Sequence, residues 1–419
     1  MAELTLYVYP WDVLDVGPEA LVEWARGCGL DRLAVATSYH SAEYVAPRAA
    51  QSVYRVVEPN VTHVPLRPLA GSLVARSGRL ATEHPELMPR LAAAASTAGL
   101  ALTGWAVALH NSHLAARHPP ACLRNVFGDR SAHALCPSNP DARIYGLGLV
   151  SAIAETGWFD EIMVENLSFL LVPHGHPHEL SGVEWNLVTR LLLSLCFCDH
   201  CEQRALARGL DVSMLRDWVG MTLRSRWNGP SSSAAVTAKV TVDGSDLLGL
   251  IWSRPDLREY LAMRCDVVTE LLRAADAAVA HFGVSLAPAG AGWARPAALG
   301  LLEGIDIAAL RDDGPRRSLL LPYHRDVADV ARDLDFAASV SEPRRFQVLQ
   351  TLWPVHHPAG IGDLLAKIAV AQAAGFDQFG LYNYGSATTV TLAWVGAVAD
   401  QVHASRSWAD DSGGDHLQP

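Results

Sequence analysis

The chain has 419 residues, half of them hydrophobic and 18% charged, with a formal net charge of −11. That balance supplies enough apolar side chains for a sizeable core and excludes a disordered polyelectrolyte. The acidic excess argues against nucleic acid or an anionic membrane as the main partner. MAELTLYVYP has no basic n-region and no cleavage site, and no run of eighteen apolar residues exists, so neither a secretory leader nor a membrane span is expected. The seven cysteines are an odd number, with three crowded together, which favours free or metal-bound thiols over a disulfide framework and a cytoplasmic setting.

In chain order, the pattern alternates strand and helix. Predicted strands are LTLYVY (Leu4–Tyr9), RLAVAT (Arg32–Thr37), ALTGWAVA (Ala101–Ala108), EIMVEN (Glu161–Asn166), VSLAPA (Val284–Ala289), FQVLQTL (Phe346–Leu352) and QFGLYNY (Gln378–Tyr384). The sixth strand falls either at Ile305–Leu310 or at Ser318–His324. Helices are expected over Pro18–Gly27, Pro85–Ala98, Pro140–Glu155, around Trp185–Ala207, and over Ser213–Arg226 and Asp246–Phe282. Three more follow over Asp326–Val340, Gly362–Ala374 and Thr389–Ala404, and a polar loop is expected at Asn228–Gly244. Eight such units without a break predict an α/β fold, a single (β/α)8 TIM barrel over residues 1–405. Helical and loop insertions are expected at about 40–84 and 167–245, with a disordered tail over 406–419. The competing reading, a doubly wound open sheet, lacks the GxGxxG that should follow the first strand.

In a barrel, the C-terminal strand ends face the active site. Those ends deliver Trp11 and Asp12, Tyr39 and His40, His110 and Asn111, Glu165 and Asn166, Tyr323, Gln350 and Trp353, and Tyr382 and Asn383. Aromatic faces stack on sugar C–H surfaces while amides and imidazoles read hydroxyls, so a sugar-containing small molecule is the expected partner. Glu165 closes an apolar run, where burial raises a carboxyl pKa and suits a general acid; a structural carboxylate is the alternative. The HGHPHE segment brings His174, His176 and His178 within five residues, followed by Glu179. These imidazoles either line the substrate mouth or hold a metal.

In CFCDHC, Cys196, Cys198 and Cys201 with His200 match the ligand types of a tetrahedral zinc site, zinc being the cofactor that spacing suggests. The alternatives are buried free thiols in an apolar run, or a redox pair. Cys28, Cys122, Cys136 and Cys265 stand apart and read as structural.

YHS at Tyr39–Ser41, LHNS at Leu109–Ser112, ALCPSNP at Ala134–Pro140, VENLSF at Val164–Phe169 and SLCFCDHC at Ser194–Cys201 together resemble uncharacterised bacterial glycoside-hydrolase-like TIM-barrel proteins. The resemblance covers Leu4 to about His403 and implies a barrel hydrolase. Better-known glycosidases of this clan carry Asn-Glu at the end of strand 4 and a nucleophilic Glu at the end of strand 7. Here the order is Glu165-Asn166, and strand 7 offers Gln350. A retaining mechanism needs two carboxyls about 5–5.5 Å apart, and the second carboxylates expected near the mouth are Asp12 and Glu179. The expected function is therefore glycoside-hydrolase-like, with Glu165 as acid and Asp12 or Glu179 as its partner. A metal-dependent hydrolase or lyase built on the HGHPHE histidines and a noncatalytic carbohydrate-binding barrel are the rivals.

Overall fold

The computed structural model describes every residue except Met1, Gln51, 174–181, 184, 229–243, 290–296, 312–313 and 412–419. Eight parallel strands close on themselves: β1 (Glu3–Val8), β2 (Arg32–Tyr39), β3 (Ala101–Val107), β4 (Glu161–Glu165), β5 (Ser285–Ala289), β6 (Ser318–Leu320), β7 (Phe346–Thr351) and β8 (Gln378–Tyr382). β1 pairs with both β8 and β2, so no barrel edge is left open. The sixth strand is the later of the two sequence candidates; Ile305–Leu310 forms turns instead. It is also the shortest, and it meets β5 at the single register position Ala289↔Leu319. No described helix is long and apolar enough to cross a membrane.

Local signals set the helix ends. Asn139 caps the helix Pro140–Glu155 by accepting from the Ala142 amide at 3.1 Å, with proline in the first turn. Gly99 ends Leu87–Ala98 in the left-handed conformation. The expected helical run Trp185–Ala207 is two helices, Leu187–Ser194 and Asp199–Leu206, because the chain is extended at Leu195 and Cys198. The last helix, Trp394–Asp411, runs into what the sequence marks as tail. Two antiparallel hairpins escaped the sequence reading: Glu43–Val45 with Tyr54–Val56, and Cys122–Arg124 with Arg130–Leu135. A short strand, Val61–Thr62, runs antiparallel to the end of β2.

Inside the barrel, side chains stack in layers. The floor is ionic: buried Arg317 bonds Glu161 through Nε at 3.0 Å and Glu3 through Nη1 at 3.0 Å, and Arg32 meets Glu3 at 2.9 Å. Above it, the Tyr7 hydroxyl donates to Gln347 (2.9 Å), whose amide donates to Thr5 (2.8 Å). Tyr7 fits because β8 carries Gly380 opposite; a Cβ there would lie 3.2 Å from its ring and 3.0 Å from Leu349. Aromatic rings fill the top.

The floor yields a test. Removing one partner of a buried ion pair strands the other charge, which costs about 3–5 kcal/mol, whereas replacing both with apolar groups is often near neutral. Arg317→Met is expected to lower unfolding free energy by that amount in urea titration, and Arg317→Met with Glu161→Leu to recover most of it. Equal losses in the single and double variants would show that the two charges do not depend on each other.

Candidate functional site

The C-terminal strand ends converge on a cavity of about 60 Å³ lined by Tyr7, Tyr39, His40, Trp105, Met163, Glu165, Tyr323, Tyr382 and aliphatic side chains from β5, β6 and β7. Its centre is Trp105 on β3. The indole lies edge-on to Tyr7, Tyr39 and Tyr382 and stacked near Tyr9, with centroids 4.8–5.9 Å apart. Such pairs contribute beyond the area they bury. The indole N–H donates to Glu165 Oε2 at 3.0 Å, and the Asn166 amide donates to Oε1 at 3.1 Å. Asn166 reaches back to its neighbour because its backbone is left-handed, with φ 59°. Its own Oδ1 is buried with no hydrogen-bond partner among the described residues. Burial pushes the Glu165 carboxyl up to about 7, against the two hydrogen bonds that pull it down.

Three hydroxyls form a ring beside this acid. Tyr9 meets Tyr382 at 2.8 Å and Tyr39 at 3.3 Å, and Tyr39 meets Tyr382 at 3.3 Å. Burial pushes all three phenols up, so they stay protonated and act as hydrogen-bonding groups, not as phenolate nucleophiles. Asn383 donates to Tyr9 at 3.4 Å. His40 stacks on Tyr39 (4.3 Å) and on His110 (4.8 Å), and Tyr323 is near-parallel to Tyr382 and His356.

Other expected site residues stand back from the cavity. Trp11 stacks on Tyr9 at 4.7 Å and donates to the Tyr44 hydroxyl. Asn111 caps Ser112–Arg117, accepting from Leu114 at 2.9 Å, and donates to Tyr145 at 3.3 Å. Trp353 donates to Ser386 at 2.7 Å while its ring meets Tyr382 edge-on. Gln350 shares a strand face with Phe346 and Val348, which pack into the outer core, and donates to the Pro322 carbonyl at 3.2 Å. Asp12, expected as partner to Glu165, does not line its cavity. It accepts from the Tyr9 amide at 2.9 Å and faces a separate cavity of about 450 Å³ with Asp15, Arg48, Arg55 and Tyr384. Burial pushes Asp12 up to about 7 too, against the Tyr9 amide and the two arginines. The larger cavity has one aromatic residue in its lining, Tyr384, and shares no lining residue with the Glu165 cavity. His174, His176, His178 and Glu179 fall outside the described residues.

The sequence reading missed Trp105 because it sits mid-strand; the two-residue alternation from Thr103 to Val107 was the available signal. It also left Cys136 among the isolated thiols. The structure brings its sulfur to 3.5 Å from those of Cys198 and Cys201 and 3.8 Å from that of Cys196. Cys136, not His200, completes that group.

With this geometry in place, the chain can be set beside known structures. It superposes on the PgaB (BpsB) glycoside hydrolase domain from Bordetella bronchiseptica with a TM-score of 0.57 at 13% identity, over 96% of this chain and 99% of that one. The likeness lies in the (β/α)8 barrel fold. A β-galactosidase from Marinomonas ef1 gives 0.54 at 12% identity over 99% of this chain, and α-L-fucosidase isoenzyme 2 from Paenibacillus thiaminolyticus gives 0.51 at 12% over 97%. This chain spans only 61% and 50% of those two proteins. No family model and no curated protein matches the sequence.

The raised Glu165 pKa has a sign that can be checked. A carboxyl raised to about 7 in the fold contributes stability fully below its unfolded value near 4.5 and loses it as pH rises through 7. Glu165→Gln removes that loss. The variant is expected to melt close to wild type at pH 4.5 and above it at pH 8, by calorimetry. A difference independent of pH would mean that the fold leaves the carboxyl unshifted.

Proposed function

We propose that the protein is a glycoside-hydrolase-like enzyme acting on a sugar or a glycosylated small molecule, with Glu165 as general acid. The observation that carries this reading is the Glu165 carboxyl buried within an aromatic cavity at the barrel axis, where burial pushes its pKa up to about 7. Trp105, Tyr39, Tyr323 and Tyr382 offer faces for sugar C–H surfaces, and His40 and the tyrosine hydroxyls offer hydrogen bonds. In the reaction, Glu165 gives its proton to the glycosidic oxygen as the C–O bond breaks, and the bonding electron pair leaves with that oxygen. Trp105 and Asn166 hold the resulting carboxylate through the bonds they already make.

The positive charge left on the sugar needs a partner. Glu179 is the sequence candidate for the second carboxylate, and a lone acid suffices where the substrate supplies its own neighbouring nucleophile. Among the described residues, Glu165 is the one carboxylate lining the cavity, and that favours a second reading, a noncatalytic carbohydrate-binding barrel.

An aryl-glycoside panel separates the two. Wild type is expected to turn over at least one member, with the alkaline limb of kcat/KM near pH 7. Glu165→Gln is expected to lower kcat by about 100-fold or more while sugar binding, measured by calorimetry, is retained. Sugar binding without turnover by wild type favours the binding barrel. Metal-dependent activity that is also lost in His174→Ala or His176→Ala would move the chemistry to the HGHPHE histidines.

A further inference from the structure

Away from the barrel axis, four buried sulfurs meet. Cys136 follows the hairpin strand Arg130–Leu135, while Cys196, Cys198 and Cys201 span the start of the helix Asp199–Leu206. Their Sγ atoms all lie within 4.8 Å of one another, and the three separations from Cys136 are 3.5–3.8 Å. These are not disulfide distances, since a bonded pair lies at about 2.05 Å. A tetrahedron of sulfurs about 2.3 Å from zinc has edges of about 3.8 Å. The group therefore has the size of one tetrahedral ion.

The surroundings suit thiolates. The Arg124 amide donates to Cys196 Sγ at 3.3 Å, and Ser138 Oγ lies 3.2 Å from Cys201 Sγ. Cys198 occupies the N-cap position of the Asp199–Leu206 helix and Cys201 lies in its first turn, where the helix dipole favours negative charge. A second, independent feature is Arg264, on the helix Pro255–Ala280. Its side chain is fully buried, and none of its three guanidinium nitrogens has a hydrogen-bond partner among the described residues. It lies over the Phe169 ring at 4.4 Å, within electrostatic range of Cys196 and Cys201. One turn earlier on the same helix, the Tyr260 hydroxyl donates to the Cys196 carbonyl. A buried guanidinium beside four neutral thiols would be an uncompensated charge, which is strongly unfavourable. Beside four thiolates and a divalent ion, which together carry two negative charges, it is a counter-charge.

We propose that Cys136, Cys196, Cys198 and Cys201 form a mononuclear tetrathiolate zinc site, with Arg264 as its buried counter-ion. Binding converts four thiols to thiolates, releases their protons to solvent and forms four Zn–S bonds, with no change of oxidation state. The site joins the hairpin after β3 to the insertion after β4. That hairpin also supports the barrel mouth: the His133 carbonyl accepts from the Asn111 amide at 2.8 Å, and the Leu135 amide donates to the Leu109 carbonyl at 2.9 Å. The proposal stands independently of the Glu165 chemistry.

The test uses the full chain, expressed with zinc and iron both supplied. Plasma mass spectrometry is expected to find one zinc per chain. Cys136, Cys196, Cys198 and Cys201 should become open to alkylation when a chelator is added, while Cys122, buried outside the group, should not change, which reads the site without any mutation. Cys136→Ser and Cys198→Ser should lose the metal. Arg264→Met keeps length and apolarity but removes the charge; it should weaken zinc binding at least about tenfold against a chromophoric chelator, in the range seen for outer partners of metal ligands. Arg264→Lys should recover most of the affinity, which a packing role alone would not explain. A wild-type protein that takes up no zinc, or whose thiols all alkylate equally with and without chelator, overturns the site. Stoichiometric iron overturns the choice of zinc, and zinc affinity unchanged in Arg264→Met overturns the counter-ion.

Discussion

The indole N–H of Trp105 is the contact on which the barrel mouth depends. An eight-stranded barrel has an interior just wide enough for its own side chains, so whatever fills the centre decides how much room a ligand finds. Here a tryptophan fills it, touching four tyrosine rings and donating its single hydrogen bond to Glu165. The same side chain thus sets the shape of the cavity and the orientation of its acid. Three of those tyrosines, Tyr9, Tyr39 and Tyr382, hydrogen-bond to one another in turn, so each hydroxyl has its partner within the lining.

The barrel was legible in the sequence because the strands are largely buried on both faces and read as mostly apolar runs. β4 begins at Glu161 as predicted, and the helix Pro140–Glu155 has the predicted bounds, its start fixed by an Asn cap and a proline. The sixth strand was ambiguous because only three residues of it pair. The helix break at Leu195–Cys198 was not visible, since an apolar run with cysteines carries no breaker residue. Glu165 stood out as a carboxylate ending such a run. Two things were hidden for one reason. That Asp12 turns away from the axis, and that Cys136 joins thiols sixty or more positions along the chain, are facts of three-dimensional proximity. Spacing along a sequence does not encode them.

The insertions give the molecule two polar centres with opposite logic. In the mouth, burial pushes a carboxyl toward its neutral form, with no cation beside it among the described residues. Around Cys136, thiols gather beside a guanidinium and a helix start. Both are dry, and what separates them is the sign and number of the neighbouring charges.

The ionic floor bears on the acid above it. Two guanidiniums face two carboxylates there, so the cluster as a whole is neutral and sends little field up the barrel axis. Burial raises the proton affinity of Glu165, and no charged neighbour among the described residues contributes to the shift. Dissolved salt, which screens charge–charge terms, therefore has little hold on it. Water has more. A ligand that displaces solvent from the cavity strengthens the hold of Glu165 on its proton, and by thermodynamic linkage the protonated barrel binds such a ligand more tightly than the ionised one.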